Sequence, residues 1–222
     1  MTEYKSTKGG AVQNFEENPD NPYVGQVWYN ETTGNLRVRQ TTLTSAWAAG
    51  GNLNTAGNSG GGFGIPTAAI LTGGNRPNKT GITEAYNGSS WTEVNDLNEG
   101  RSNIAASGTQ TSGLAYGGFP APPATTAKTE LWNGTNWTEV NDLNLSRMGL
   151  AGAGTDSTNA LAFGGNVLPF NQNKNETETW NGTNWTEVNN LNTARGLMGG
   201  AGSSNTAVLA FGGNVPPVQA VT

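Results

Sequence analysis

Six glutamates recur at fixed places in this chain and could carry acid–base chemistry. Glu84, Glu130 and Glu178 each precede a tryptophan by seven residues, and Glu93, Glu139 and Glu187 each follow the same tryptophan by two. Paired carboxylates at a set separation perform glycoside hydrolysis, one as acid and the other as base or nucleophile. That chemistry needs one unique pair. These acids come once per repeat, so solvated strand positions are the better reading. Arg101, Arg147 and Arg195 recur in the same way and suit bonding to backbone carbonyls between repeats. The sequence has no His and no Cys, which excludes disulfides, thiol nucleophiles, imidazole bases and His or Cys metal sites. No catalytic residue, cofactor or metal ligand is assigned, and the chain reads as a non-enzyme.

The elements that hold these residues are repeated too. The block Thr179-Trp180-Asn181-Gly182-Thr183-Asn184-Trp185-Thr186-Glu187-Val188 is written again from Leu131 to Val140 and from Ala85 to Val94. Trp47, Trp91, Trp137 and Trp185 mark a period of about 44 to 48 residues, and Gly73-Gly74, Gly117-Gly118, Gly164-Gly165 and Gly212-Gly213 keep the same count. Repeats of this length made of short strands indicate propeller blades. Each unit opens after Leu-Asn, at Leu53-Asn54, Leu97-Asn98, Leu143-Asn144 or Leu191-Asn192. Its second strand is nearly all apolar, as in Ala160-Leu161-Ala162-Phe163, which fits burial on both faces. Small residues such as Ala151-Gly152-Ala153-Gly154 let first strands crowd together. Asn87-Gly88, Asn133-Gly134 and Asn181-Gly182 are tight-turn chemistry ahead of the tryptophan strand.

Charged residues make up 12% of the 222 residues and the net charge is −5. An acidic, weakly charged chain is a poor partner for nucleic acid. No apolar run is long enough to span a membrane as a helix. The opening Met1-Thr2-Glu3-Tyr4-Lys5 lacks the apolar core of a secretory signal. The 33 glycines suit a turn-rich β protein.

The order Arg-x-x-apolar, apolar-Gly-Gly, aromatic-Asn-Gly-x-x-Trp resembles the kelch repeat, over about residues 36 to 214. The resemblance implies four-stranded blades of a β-propeller. Gly57 departs from it, standing where the other units place Arg101, Arg147 and Arg195. Leu-Asn-x-x-Arg, Ala-Gly-Ala-Gly-Thr and Leu-Ala-Phe-Gly-Gly-Asn are similar to kelch-type arrays in structural proteins of marine cyanobacterial phages. Gly25-Gln26-Val27-Trp28-Tyr29-Asn30 is similar to a segment of phage tail-fibre and appendage proteins.

Residues 1–35 are expected to form an extended arm and a hairpin for anchoring or docking, and 36–222 an all-β, four-bladed kelch-like propeller. The aromatic-Asn-Gly-x-x-Trp block occurs three times against four Gly-Gly pairs. The last blade is therefore expected to take Leu36-Arg37-Val38-Arg39 as third strand and Trp47-Ala48-Ala49 as fourth, removing exposed edges. The alternative pairs the chain ends with another subunit, giving a homo-oligomer.

The connectors after Gly-Gly vary most, and loops on a rigid scaffold are where binding usually sits. Arg76, Lys79, Phe119, Pro122, Leu168 and Phe170 are the candidate partner-binding residues there. The competing reading folds the apolar ones back on their own blades. Tyr4, Phe15, Tyr23 and Trp28 are the candidate docking residues of the arm. The resemblance implies a virion structural protein, assembled in the host cytoplasm: a tail fibre, appendage or capsid decoration used for adhesion or assembly. Its partners would be other virion proteins through the arm, and a host-surface glycan or protein. The alternative function is a cellular kelch adaptor binding a protein partner.

Overall fold

A computed structural model of the 222-residue chain describes residues 13–19, 26–38, 50–120, 124–167 and 172–215. The described residues are all-β. The chain forms two compact units, Met1–Ala49 and Gly50–Thr222.

In the first unit, β1 (Gln13–Phe15) pairs parallel with β2 (Val27–Asn30), which pairs antiparallel with β3 (Asn35–Val38). Val27–Val38 is thus a hairpin, as expected. The Asn30 side chain closes the turn by accepting from the Thr33 amide at 2.8 Å, and Gly34 supplies the positive φ of 67° that ends it. Trp28 and Asn30 point inward along β2 while Val27 and Tyr29 are exposed, the alternation of a half-buried strand.

The second unit is a series of antiparallel meanders. The first contains β4 (Gly61–Ile65), β5 (Ala68–Thr72), β6 (Thr83–Tyr86) and β7 (Trp91–Val94). The second contains β8 (Ala105–Thr109), β9 (Ser112–Tyr116), β10 (Thr129–Trp132) and β11 (Trp137–Val140). The third contains β12 (Ala151–Asp156) and β13 (Asn159–Phe163), then, past a two-stranded excursion of β14 (Asn166–Val167) and β15 (Gln172–Asn173), β16 (Thr177–Trp180) and β17 (Trp185–Val188). The fourth has two strands, β18 (Gly199–Ser204) and β19 (Ala207–Phe211).

First strands lie side by side in chain order: β4 against β8, β8 against β12, β12 against β18. Glycine permits the approach. A Cβ on Gly152 would fall 1.8 Å from the Tyr116 hydroxyl of the preceding sheet, and one on Gly200 would fall 2.8 Å from the Phe163 ring. Rings interlock at the same junctions. Tyr116 meets Trp185 at a tilt, with centroids 4.9 Å apart, and Phe63 meets Trp137 edge-on at 6.4 Å. Such pairs add about 0.5–1.5 kcal/mol beyond their buried area. The indole nitrogens are satisfied across the same boundary: Trp137 donates to the Thr83 hydroxyl at 3.2 Å, and Trp185 to that of Thr129 at 3.0 Å.

One expectation is corrected. Asn35–Val38 pairs with Val27–Asn30, and β19 pairs only with β18 among the described strands. The expected pairing of Leu36, Arg37 and Val38 with the last sheet is not found among the pairings of the described strands, and those strands do not form a closed ring. Arg39 and Trp47-Ala48-Ala49 lie outside the described residues.

Candidate functional site

The recurring acids divide into two sets. Glu93, Glu139 and Glu187 are exposed, as expected. Glu84, Glu130 and Glu178 are not solvated: each is buried, inside a cradle built the same way three times. They lie second on β6, β10 and β16, where the pleat turns them toward the segment entering the sheet. That segment carries the Asn of Leu-Asn. The Asn98 amide and side chain both donate to Glu130 Oε2, each at 2.8 Å, and the Asn98 side chain also donates to the Trp137 carbonyl. Asn54 treats Glu84 and Trp91 in this way, and Asn144 treats Glu178 and Trp185.

An arginine closes each cradle. Arg101 Nη1 reaches Glu130 Oε1 at 2.5 Å, and Arg147 Nη2 reaches Glu178 Oε1 at 2.9 Å. These arginines do bind backbone carbonyls, but within their own sheet and not between repeats as expected. Arg101 Nε donates to the Gly117 carbonyl and Arg147 Nη1 to that of Gly164, both at 3.0 Å, so each arginine ties its ion pair to the glycine pair of its own sheet. Burial lowers the Arg147 pKa, opposed by the Glu178 carboxylate. Each of these carboxylates accepts from a guanidinium and from two N–H groups of the entering segment, which fixes it within its sheet.

In the first sheet Gly57 leaves the arginine position empty, and Arg76 fills it from the other side. Its Nη1 lies 2.6 Å from Glu84 Oε1. Arg76 is accordingly buried and does not belong with the partner-contacting loop residues. In the fourth sheet the arginine is present without its carboxylate. Arg195 Nη1 donates to the Gly212 carbonyl at 3.0 Å, and among the described residues no glutamate faces it.

The loops past the glycine pairs occupy equivalent places. Phe119 pairs with Ser102, Asn166 with Met148, and Asn214 with Gly196, as isolated bridges at the mouth of each sheet. Two of the loop candidates meet there: Lys79 Nζ lies 3.6 Å from the centroid of the Phe119 ring, a cation–π contact between neighbouring sheets. Pro122, Leu168 and Phe170 lie outside the described residues, as do Tyr4 and Tyr23. Phe15 is half-buried on β1. Trp28 is buried, its indole donating to Asn18 at 3.2 Å, so it is held within its own unit.

A second recurrent feature escaped sequence reading. Ser59, Asn103, Gly149 and Leu197 all adopt left-handed backbone, with φ of 61°, 53°, 59° and 54°. Each later amide donates to the earlier carbonyl: Asn103 to Ser59, Gly149 to Asn103, Leu197 to Gly149, at 2.7 to 2.8 Å. These bonds stitch the four sheets in series.

No family model matches this sequence, and no curated protein matches it. No helix among the described residues is long and apolar enough to cross a membrane.

Proposed function

We propose that the four sheets are kelch-like propeller blades and that the chain is a non-enzymatic structural protein of a phage particle. In this reading it is a tail fibre, appendage or capsid decoration that displays its loops for adhesion or assembly. The observation that carries the display reading is the use made of the charged repeat residues. Glu84, Glu130 and Glu178 are consumed by Arg76, Arg101 and Arg147 inside the sheets. What varies from sheet to sheet, and stays partly open, is the run after each Gly-Gly, where Lys79 and Phe119 come together. A rigid scaffold with divergent loops on equivalent mouths is the usual arrangement of a binding surface. The phage assignment rests on the resemblance of the repeat wording.

Mass spectrometry of purified particles, with immunogold labelling by an antibody to the recombinant chain, tests the assignment. Stoichiometric presence and a labelled appendage are expected. Absence from particles, or recovery of one cellular partner instead, overturns it in favour of an adaptor.

A further inference from the structure

The fourth sheet differs from its three predecessors by what is missing from it. β19 matches β13 in position, yet Phe211 is 50% exposed where Phe163 is 1% exposed. Leu209 is exposed as well, and the far edge of β19 has no strand against it among the described residues. In the third sheet that edge is covered by β16, which sets Thr177 opposite Phe163 and Glu178 opposite Ala162.

The groups that recognise such a strand are nevertheless in place. Arg195 is oriented by the Gly212 carbonyl at 3.0 Å, just as Arg147 is by Gly164 at 3.0 Å. Asn192 stands where Asn54, Asn98 and Asn144 grip a carboxylate, and like them it is exposed. On the adjoining sheet, Thr177 holds the place from which Thr83 and Thr129 accept an indole N–H of the following sheet. Among the described residues no indole reaches it.

We infer that β19 is an acceptor edge for a β-hairpin of a partner protein, one that carries a glutamate opposite Ala210 and a tryptophan on its second strand. The carboxylate enters the Asn192–Arg195 cradle, the backbone adds to β19, and the rings cover Phe211 and Leu209. Strand addition takes affinity from main-chain bonds and specificity from alternate side chains, here a charge-assisted pair. The three completed cradles define the required chemistry, and none of this depends on the virion assignment.

The probe is a synthetic peptide with the sequence of residues 175–190, a hairpin of the type used in the third sheet. It is titrated by calorimetry into the full chain, with hydrogen exchange of β19 followed in parallel. Saturable binding is expected, with β19 amides gaining protection. Binding should weaken at least tenfold in Arg195→Ala, in Asn192→Ala, and with a probe carrying Gln in place of Glu178. Equal binding by the Gln probe and by Arg195→Ala overturns the inference. So does absence of binding. Protection, in the chain alone, of the β19 amides that do not bond to β18 also overturns it, by showing the edge already covered by the chain itself or, if sedimentation depends on concentration, by a second copy.

Discussion

A Cβ placed on Gly57 would lie 2.3 Å from Cγ of Arg76. The missing side chain at one position and the buried guanidinium from another occupy the same space. The first sheet has moved its arginine from the strand entrance to the loop after the glycine pair, and the carboxylate of Glu84 is satisfied either way.

Arg76→Ala is expected to destabilise the protein by about 3–5 kcal/mol, because it leaves Glu84 buried without its counter-charge. Adding Gly57→Arg to that variant should recover part of the loss, since the truncated side chain vacates the space. The Asn75 carbonyl, 2.8 Å from the new Cβ, must shift to admit it. Urea unfolding of the two single variants and the double variant measures the coupling. A double variant no more stable than Arg76→Ala would show that the two positions are not interchangeable.

Gly152→Ala tests the sheet junctions. The added methyl would overlap the Tyr116 hydroxyl and crowd the ring carbon that bears it, at 2.7 Å. Overpacking of this kind costs about 1–3 kcal/mol. Removing the hydroxyl with Tyr116→Phe should return part of that stability, which thermal unfolding of the pair would reveal.

Tyr116 also sets a limit at alkaline pH. Burial pushes its pKa up to about 12 from 10.0. The raised value means the folded state holds the proton more tightly than the unfolded chain. Its stabilising contribution is complete below about pH 10, declines between 10 and 12, and is lost above, a swing of about 2–3 kcal/mol. The melting temperature of Tyr116→Phe should fall less steeply over that window than that of the wild type. Parallel curves would assign the alkaline loss to other groups.

Leu197 is the one bulky residue of the left-handed series, and it is 64% exposed. Left-handed backbone costs a non-glycine residue about 1–2 kcal/mol, less for Asn. Leu197→Asn, borrowing the residue at Asn103, is expected to stabilise the protein by up to about 1 kcal/mol. A fall in the denaturation midpoint would mean that the Leu197 contact over Gly149 outweighs the backbone term.

Much of the architecture could be read in advance. Strand positions, the hairpin around residues 31–34 and the buried second strands follow from period-two alternation, β-branched and aromatic runs, and turn dipeptides. The Asn-Gly turns behave as expected: Asn87 accepts from the amides of Ser89 and Ser90, and Gly88 takes a φ of 94°. The burial of Glu84, Glu130 and Glu178 was not legible, because a repeated acid that follows a threonine has the wording of a solvated strand. Its signature was present in a different form. Asn follows Leu at every entrance, and the one unit without an entrance arginine has another in its loop. The left-handed series could not be seen at all, since Ser, Asn, Gly and Leu share no chemistry and only their backbone is alike. The pairing of Leu36 was misjudged because alternation identifies a strand but not its neighbour.

The Ser59–Asn103–Gly149–Leu197 stitching has a direction: each link hooks the one before it with an amide and offers a carbonyl to the one after. Registration of the array therefore resides in the main chain, leaving side chains at these four places at liberty to drift. Such a coupling is indifferent to length. Duplicating one unit in the gene would add a further sheet with no new recognition chemistry, only another residue willing to turn the wrong way.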